Sequence, residues 1–419
     1  MVWLNGLLAL FSLFTVFKAP AKPFWYVAIA ATEWGHFLAV FPIALALFSW
    51  SGTRRWGAAS GLALMAAVLY LTPLLRALSL ARHLPRQLSA RFGPFNPREG
   101  VHAPARNEPL NLVDLFTGIP SPQVRVTNFV YANLDGKPLT LDVYQPAVID
   151  QSLPGVLVIH SGSWKSGDRG EFADFNRYLA ARGYIVASMD YRLAPGATFP
   201  AQRDDVFSAL QYLKTHAADI GLDKDRLVLL GRSAGGQIAL SAAYAGRETA
   251  IRGVIVVSAP NDLVWGYSVP GNPLIMNSRK VIETYLGGPP DRIRSVYEAA
   301  SPLNFVNKNT PPTLMIHGLR DELVSPLHEE RLSKRLTEAG RPYFYLRLPW
   351  ATHACDANFN GPSGQLSTYT MERFLGAVLP TSRDERIVRS SFPAATGGES
   401  KMDPRQRHSG MTSRKDPHV

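Results

Sequence analysis

The chain has 419 residues, 46% of them hydrophobic, and a single cysteine, Cys355. That length implies one large domain with appendages, and one cysteine excludes both an intrachain disulfide framework and a cysteine-based structural zinc site. The formal charge of +11 sits mainly at the ends, +7 over residues 1–100 and +3 over 381–419 against +1 over 101–380; the centre lacks a nucleic-acid binder's basic stripe, and the excess reads as membrane-flanking charge and a solvated tail.

Three apolar runs fill the first 80 residues, at 2–17, 24–50 and 56–75, the second interrupted by Glu33 and His36. A bilayer-crossing helix needs about 20 apolar residues. The second and third runs reach that length; the first is short and suits a tilted span or an interfacial helix. No positive charge precedes the first run and further apolar runs follow it, which argues against a secretory signal peptide. A helical hairpin buried in a soluble protein would need a large partner surface for three such runs. The expectation is a membrane anchor of two to three helices over 1–80, an Arg/Pro-rich linker over 81–122, a folded domain over 123–380 and a disordered basic tail over 381–419. Positive charge near span ends marks the cytoplasmic side. Lys18, Lys22, Arg76, Arg82, Arg86 and Arg91 outweigh Arg54 and Arg55, so the chain reads as a multi-pass membrane protein with a cytoplasmic folded domain.

Within 123–380, strands are expected at 125–132 and 138–145, joined by a hairpin turn at Asp135-Gly136. Further strands follow at 155–161, 183–190, 226–231, 253–258, 313–318 and 343–348. Amphipathic stretches at 203–216, 234–246, 325–339 and 364–378 lie between or after them. Continuous Val/Ile/Leu strands alternating with helices define an α/β domain, a mostly parallel sheet of eight strands covered on both faces, with an antiparallel hairpin at one edge.

The strand at 226–231 runs into Gly231-Arg232-Ser233-Ala234-Gly235-Gly236 and then a helical pattern. Gly-x-Ser-x-Gly between a strand and a helix is the nucleophile-elbow pattern. The turn is too tight for side chains at its flanks, the serine hydroxyl is lifted at the strand's carboxyl end, and the helix N-terminus faces a developing oxyanion. A serine hydroxyl needs a base, and in this arrangement an acid and then a histidine follow it in the chain. Of the downstream histidines, His317 falls in a strand, His328 on a helix and His408 and His418 in the tail; His353 falls in a loop after the last strand and is the expected base. Asp321, three residues after the strand ending at Gly318, is the expected acid. Glu322 is its fallback, and Asp356 lies too near His353 in the chain to orient it. Oxyanion donors are expected from the backbone of Ala234 and from the loop after the strand at 155–161, at Gly162 and Ser163.

These stretches together resemble the hormone-sensitive-lipase-like branch of α/β-hydrolases, the acetylesterase and feruloyl-esterase-like carboxylesterases, over roughly residues 123–380. "HSGSWKSGD" looks like that branch's oxyanion loop, "DYRLAPGATFPAQRDD" like its Asp-Tyr-Arg-Leu-Ala-Pro stretch, and "GRSAGG", "HGLRDELV" and "THACD" like its elbow, acid and histidine loops. The resemblance implies the α/β-hydrolase fold, triad roles for Ser233, Asp321 and His353, and oxyanion roles for Gly162, Ser163 and Ala234. Two departures stand out. Serines occupy positions 161 and 163 where glycines are usual, and apolar segments replace the N-terminal part that caps many relatives. Tyr191, Arg192, Asp204 and Asp205 read as a structural ion-pair and hydrogen-bond patch.

The leading expectation is a membrane-anchored serine carboxylic-ester hydrolase, an esterase or lipase that needs no metal or organic cofactor. Its substrate would be a small-molecule ester, lipid-like if it comes from the bilayer. The same triad serves amides, formamides or prenylcysteine methyl esters, and the fold also serves non-catalytic small-molecule receptors. The segment from Asn261 to Pro312 is expected to shape the pocket, with Trp265, Tyr267, Leu274 and Met276 as apolar candidates, alongside Trp164 of the oxyanion loop.

Overall fold

The computed structural model describes residues 2–53, 57–95, 104–120, 123–134 and 136–380. Asp135 of the expected hairpin turn, Arg54 and Arg55 of the topology argument and the expected tail at 381–419 lie outside these residues.

Eight strands form one sheet in the order β1-β2-β4-β3-β5-β6-β7-β8. They are β1 (Arg125–Leu134), β2 (Lys137–Gln145), β3 (Leu153–Ile159), β4 (Ile185–Met189), β5 (Leu222–Arg232), β6 (Ile251–Val257), β7 (Thr313–Gly318) and β8 (Tyr343–Leu348). Only β2 runs against its neighbours; the pairs from β4 through β8 are parallel. Side chains alternate across a strand, and both faces are apolar. Leu157, Leu229, Val254 and Val256 enter one core, under the helices Ala201–Thr215 and Ala234–Tyr244. Val156, Val158, Val228, Leu230, Ile255 and Val257 enter the other, under Ala173–Ala180 and Pro362–Val378. Burial on both faces is why these strands read as continuous apolar runs.

The N-terminal part departs from the expectation. The first run folds as the short helix Val2–Ser12 and a 3-10 turn, Leu13–Thr15. The second breaks at Trp34, where the helices Lys22–Glu33 and Gly35–Phe48 meet at 86°. Gly35 sits so close to the other helical layer that a Cβ there would lie 2.3 Å from the carbonyl oxygen of Tyr70. Glu33 is turned inward; its carboxylate accepts from Ser363 Oγ at 3.0 Å and its carbonyl from Asn358 Nδ2 at 2.9 Å. Among the described residues, one helix, Ala58–Phe92, is long and apolar enough to cross a membrane, with a second candidate only if the bent pair counts as one span. Two to three separate spans are therefore not supported by the described residues.

The same helix corrects the linker. It is 35 residues long, about 52 Å at 1.5 Å per residue, well beyond a hydrocarbon core of about 30 Å. Its last turns occupy part of the stretch expected to link anchor and domain. Leu84, Leu88 and Phe92 are buried there, in the core that covers the second face of the sheet. Phe92 meets Phe374 edge to face at 5.5 Å between centroids. The helix Ala58–Phe92 and the α/β domain are thus packed against one another. Leu88→Ala should lower stability by about 2–5 kcal/mol, read by chemical denaturation of the purified protein; a loss below about 0.5 kcal/mol would mean the helix end is only loosely applied.

Candidate active site

β5 delivers Ser233 to the turn before the helix Ala234–Tyr244. Ser233 has φ 51° and ψ −116°, a region costly for a residue with a Cβ. Backbone contacts hold it there. A Cβ on Gly231 would lie 2.2 Å from the carbonyl oxygen of Gly235, and one on Gly235 would lie 2.2 Å from that of Ile159. The Ser233 N–H donates to the Val257 carbonyl at 2.8 Å, which ties the turn to β6.

His353 comes from the loop after β8 and Asp321 from the loop after β7. His353 Nδ1 lies 2.7 Å from Asp321 Oδ2, and His353 Nε2 lies 2.9 Å from Ser233 Oγ. A carboxylate only accepts, so Nδ1–H donates to Asp321 and Nε2 accepts from the serine hydroxyl. Asp321 is almost fully buried. Its Oδ1 accepts from the backbone N–H groups of Leu323 at 2.8 Å and Val324 at 2.9 Å. Burial by itself would raise its pKa; the two histidines beside it, His353 and His317, override that and hold the carboxyl below the usual range.

The other acids are occupied elsewhere. Glu322 accepts from the Ala19 N–H at 3.1 Å, and Asp356 pairs with Arg232. The chain segment between the first two apolar runs grips the acid loop. Arg320 donates to the Phe17 carbonyl, and Lys18 Nζ reaches the Asp321 carbonyl at 3.4 Å. Asn272 of the pocket-side loop donates to the Ala19 and Pro20 carbonyls. This segment lies where the sequence left the cover of the site open.

In the loop after β3, Gly162, Ser163 and Trp164 have φ of 109°, 55° and 61°. The unusual Ser161 pins this loop, its N–H and its hydroxyl both donating to Glu171 at 2.5 Å. His160 stacks on Tyr191 at 4.1 Å, and Tyr191 OH reaches the carbonyls of His160 and Ser161. Arg192 pairs with the buried Asp205, whereas Asp204 pairs only with its neighbour Arg203.

A cavity of about 40 Å³ adjoins Ser233, Ala234, Ser163 and Trp164; Gly162 does not line it. Trp164 forms a wall, stacked on Tyr285 at 4.3 Å and donating Nε1–H to Gln237 at 2.9 Å. Met276 also lines the cavity. Trp265 and Tyr267, expected to contact substrate, do not. They sit on the short helix Leu263–Ser268, whose phase turns Leu263 and Gly266 to the cavity. Trp265 instead lies edge-on to His328, and Tyr267 donates to Glu283 at 2.7 Å. Leu274 is exposed. Val281, Ile282, Leu323 and His328 line the cavity without having been foreseen. A larger cavity of about 440 Å³ opens behind the elbow, beside Arg232 and Asn358, and Ser233 does not reach it.

The sheet order, the elbow and the strand-end loops define the α/β-hydrolase fold. The hyperthermophilic esterase from the archaeon Pyrobaculum calidifontis shares it, with 21% identity and a TM-score of 0.54 over 73% of this chain and 97% of that one. A family model described as BD-FAE matches residues 141–336. Two relatives come from Mycobacterium tuberculosis: Esterase LipC, 29% identical over 48% of this chain and 53% of its own, and Esterase LipQ, 26% identical over 58% and 60%. The chain thus spans between half and three-fifths of the length of these relatives.

Proposed function

We propose that the protein is a serine carboxylic-ester hydrolase acting through Ser233, His353 and Asp321. The observation that carries this reading is the hydrogen-bonded sequence from Asp321 through His353 to Ser233, at 2.7 and 2.9 Å, on a strained elbow. Ser233 Oγ attacks the ester carbonyl carbon while His353 Nε2 takes its proton. The carbonyl oxygen becomes an oxyanion facing the N–H groups of Ser163 and Ala234 and the N-terminus of the helix Ala234–Tyr244, with Gly162 shaping the loop. The imidazolium of His353 then gives its proton to the leaving alcohol. Water, activated by the same histidine, cleaves the acyl-enzyme, and Asp321 stabilises the imidazolium in both halves. Trp164 supplies a rigid wall for the substrate. The esterase relatives support the choice of an ester.

We further infer that the helix Ala58–Phe92 anchors the hydrolase in a bilayer, with the folded domain on the cytoplasmic side. The exposed apolar residues Phe17, Phe24 and Leu274 lie on segments that meet next to the cavity, and a surface of that kind suits esters that partition into lipid.

Ser233→Ala should abolish hydrolysis of a p-nitrophenyl ester with the fold intact by circular dichroism. Loss of the nucleophile in a well-studied serine protease costs on the order of 10⁶ in kcat; near-normal turnover would sink the mechanism. Asp321→Asn should lower kcat by roughly 10⁴, the scale seen when another triad acid is so changed, while Glu322→Gln stays within about tenfold. The reverse ranking would reassign the acid. Protease added to sealed, right-side-out cells should spare residues 104–380, and digestion from outside would overturn the orientation.

A further inference from the structure

His317, on β7, is not one of the three reacting groups, yet it lies fully buried against one of them. Its Nε2 is 2.9 Å from Asp321 Oδ2, the same oxygen that receives His353 Nδ1. The Val324 carbonyl shares that donor at 3.2 Å. On the other side, Nδ1 is 2.7 Å from Glu329 Oε2. Glu329 is itself fully buried, at the start of the helix Leu327–Glu338, and its Oε1 accepts from the Ala259 N–H at 3.2 Å. Four groups therefore alternate in one buried line: Glu329, His317, Asp321 and His353, with Ser233 at its end.

With His317 in place, Asp321 receives four hydrogen bonds, two on each oxygen. A carboxylate has about four acceptor positions, so Asp321 is saturated. It cannot turn away from His353 without stranding a buried donor, which is costly.

We propose that His317 is a positioning residue for Asp321, held as an imidazolium between Asp321 and Glu329, fixing the acid's orientation toward His353 and setting the acid limit of turnover. This rests on the hydrolase reading above. The charge count gives the reason. Glu329 and Asp321 would place two negative charges beside His353 in a water-poor interior. The imidazolium of His317 offsets one of them, so His353 faces a net charge near −1. Burial would lower the His317 pKa; Glu329 and then Asp321 override it and push the value up to about 10. Burial keeps Glu329 above the usual carboxylate range even beside that imidazole. The other nearby groups leave this arrangement alone. His328 is neutral, pushed down to about 3 by burial and by His317, and its Nδ1 accepts from the N–H groups of Asn261 and Asp262. Burial raises the Tyr345 phenol, so it stays protonated. Lys18 touches only the carbonyl of Asp321.

The test is His317→Gln, which keeps an N–H donor for Asp321 and removes the charge. Its plateau kcat and its KM for a soluble ester should stay within about threefold of the parent. The acid limb of its pH–rate profile should move up by roughly one unit, the scale of removing a nearby like charge, so that kcat/KM near pH 6 falls about tenfold. Superposable pH profiles would assign His317 a purely structural role. His317→Ala should lose plateau kcat as well, because the donor is gone, and if it misfolds the Gln variant still decides. A second readout needs no turnover. In ¹⁵N-histidine spectra of the detergent-solubilised Ser233→Ala protein at pH 8, one histidine should be protonated on both ring nitrogens, and His317→Gln in that background should remove that signature. A single proton on His317 would overturn the proposal whether or not an ester is turned over, whereas failure of ester hydrolysis with the signature present would refute only the enzymatic reading. The sign of the stability effect follows. Because the folded value lies above the ordinary 6.5, the contribution is complete below about pH 6.5 and is lost as pH rises through about 10; the parent's melting temperature should fall more steeply across that window than that of His317→Gln.

Discussion

The contact on which the rest depends is made of backbone alone. Where the elbow helix leaves β5, Gly235 presses against the carbonyl end of β3, with no room for a single methyl group between them. That approach forces Ser233 into its left-handed conformation and fixes the distance between the serine and the loop after β3. It also requires β3 and β5 to be neighbours, which the sheet order provides although β4 lies between them in the chain. Parallel strands put their carboxyl ends on one edge, and so the loops after β3, β5, β7 and β8 all open on the same side. Topology brings together residues up to 190 positions apart; the side chains only finish what the strand order began.

Much of this is legible in the sequence. All eight strands lie where the sequence places them: β3, β4, β6 and β7 are buried on both faces and so have to be apolar throughout, whereas the half-exposed β1 and β2 are marked by their hairpin turn. The elbow was legible because only glycine survives at its flanks. Asp321 and His353 followed from chain order and from standing just past strand ends. Where side-chain direction decides, the sequence was mute. Trp265 and Tyr267 looked like pocket residues by composition, but the phase of a six-residue helix turns them aside and gives the cavity Leu263 and Gly266. His317 was set aside for lying within a strand. Nothing in its spacing says that it would touch a carboxylate four residues on and a second one from the next helix.

The stretch 81–92 departs from the expected linker for a different reason. Arginine and proline dominate 81–122 and mark an exposed connection, whereas Leu84, Leu88 and Phe92 recur every four residues and form one face of a helix. Pro73 and Pro85 lie within that helix, and proline there normally signals its end. Packing overrides the signal, because three buried side chains on the domain surface outweigh one or two missing hydrogen bonds. The expectation of two to three spans meets a comparable obstacle. Hydropathy measures apolar content and is blind to a break, and Trp34-Gly35 breaks the second run because Gly35 has to approach Tyr70.

These features have a joint consequence for the acid loop. Residues 320–322 are held from the N-terminal side by Phe17, Lys18 and Ala19, and their central carboxylate is held from within by His317, Leu323 and Val324. The first set holds the flanking Arg320 and Glu322 side chains and the Asp321 carbonyl, the second the Asp321 carboxylate. A loop with only the outer clamp could still rotate its central carboxylate. One with only the charge clamp could still drift as a body, and a displacement of about 1 Å between reacting groups is enough to cost about a hundredfold in rate. Only together do they leave Asp321 a single position from which to reach His353. The apolar N-terminal segment is therefore part of the frame of the site, and cutting the chain at the apparent boundary of the domain would remove one of the two clamps.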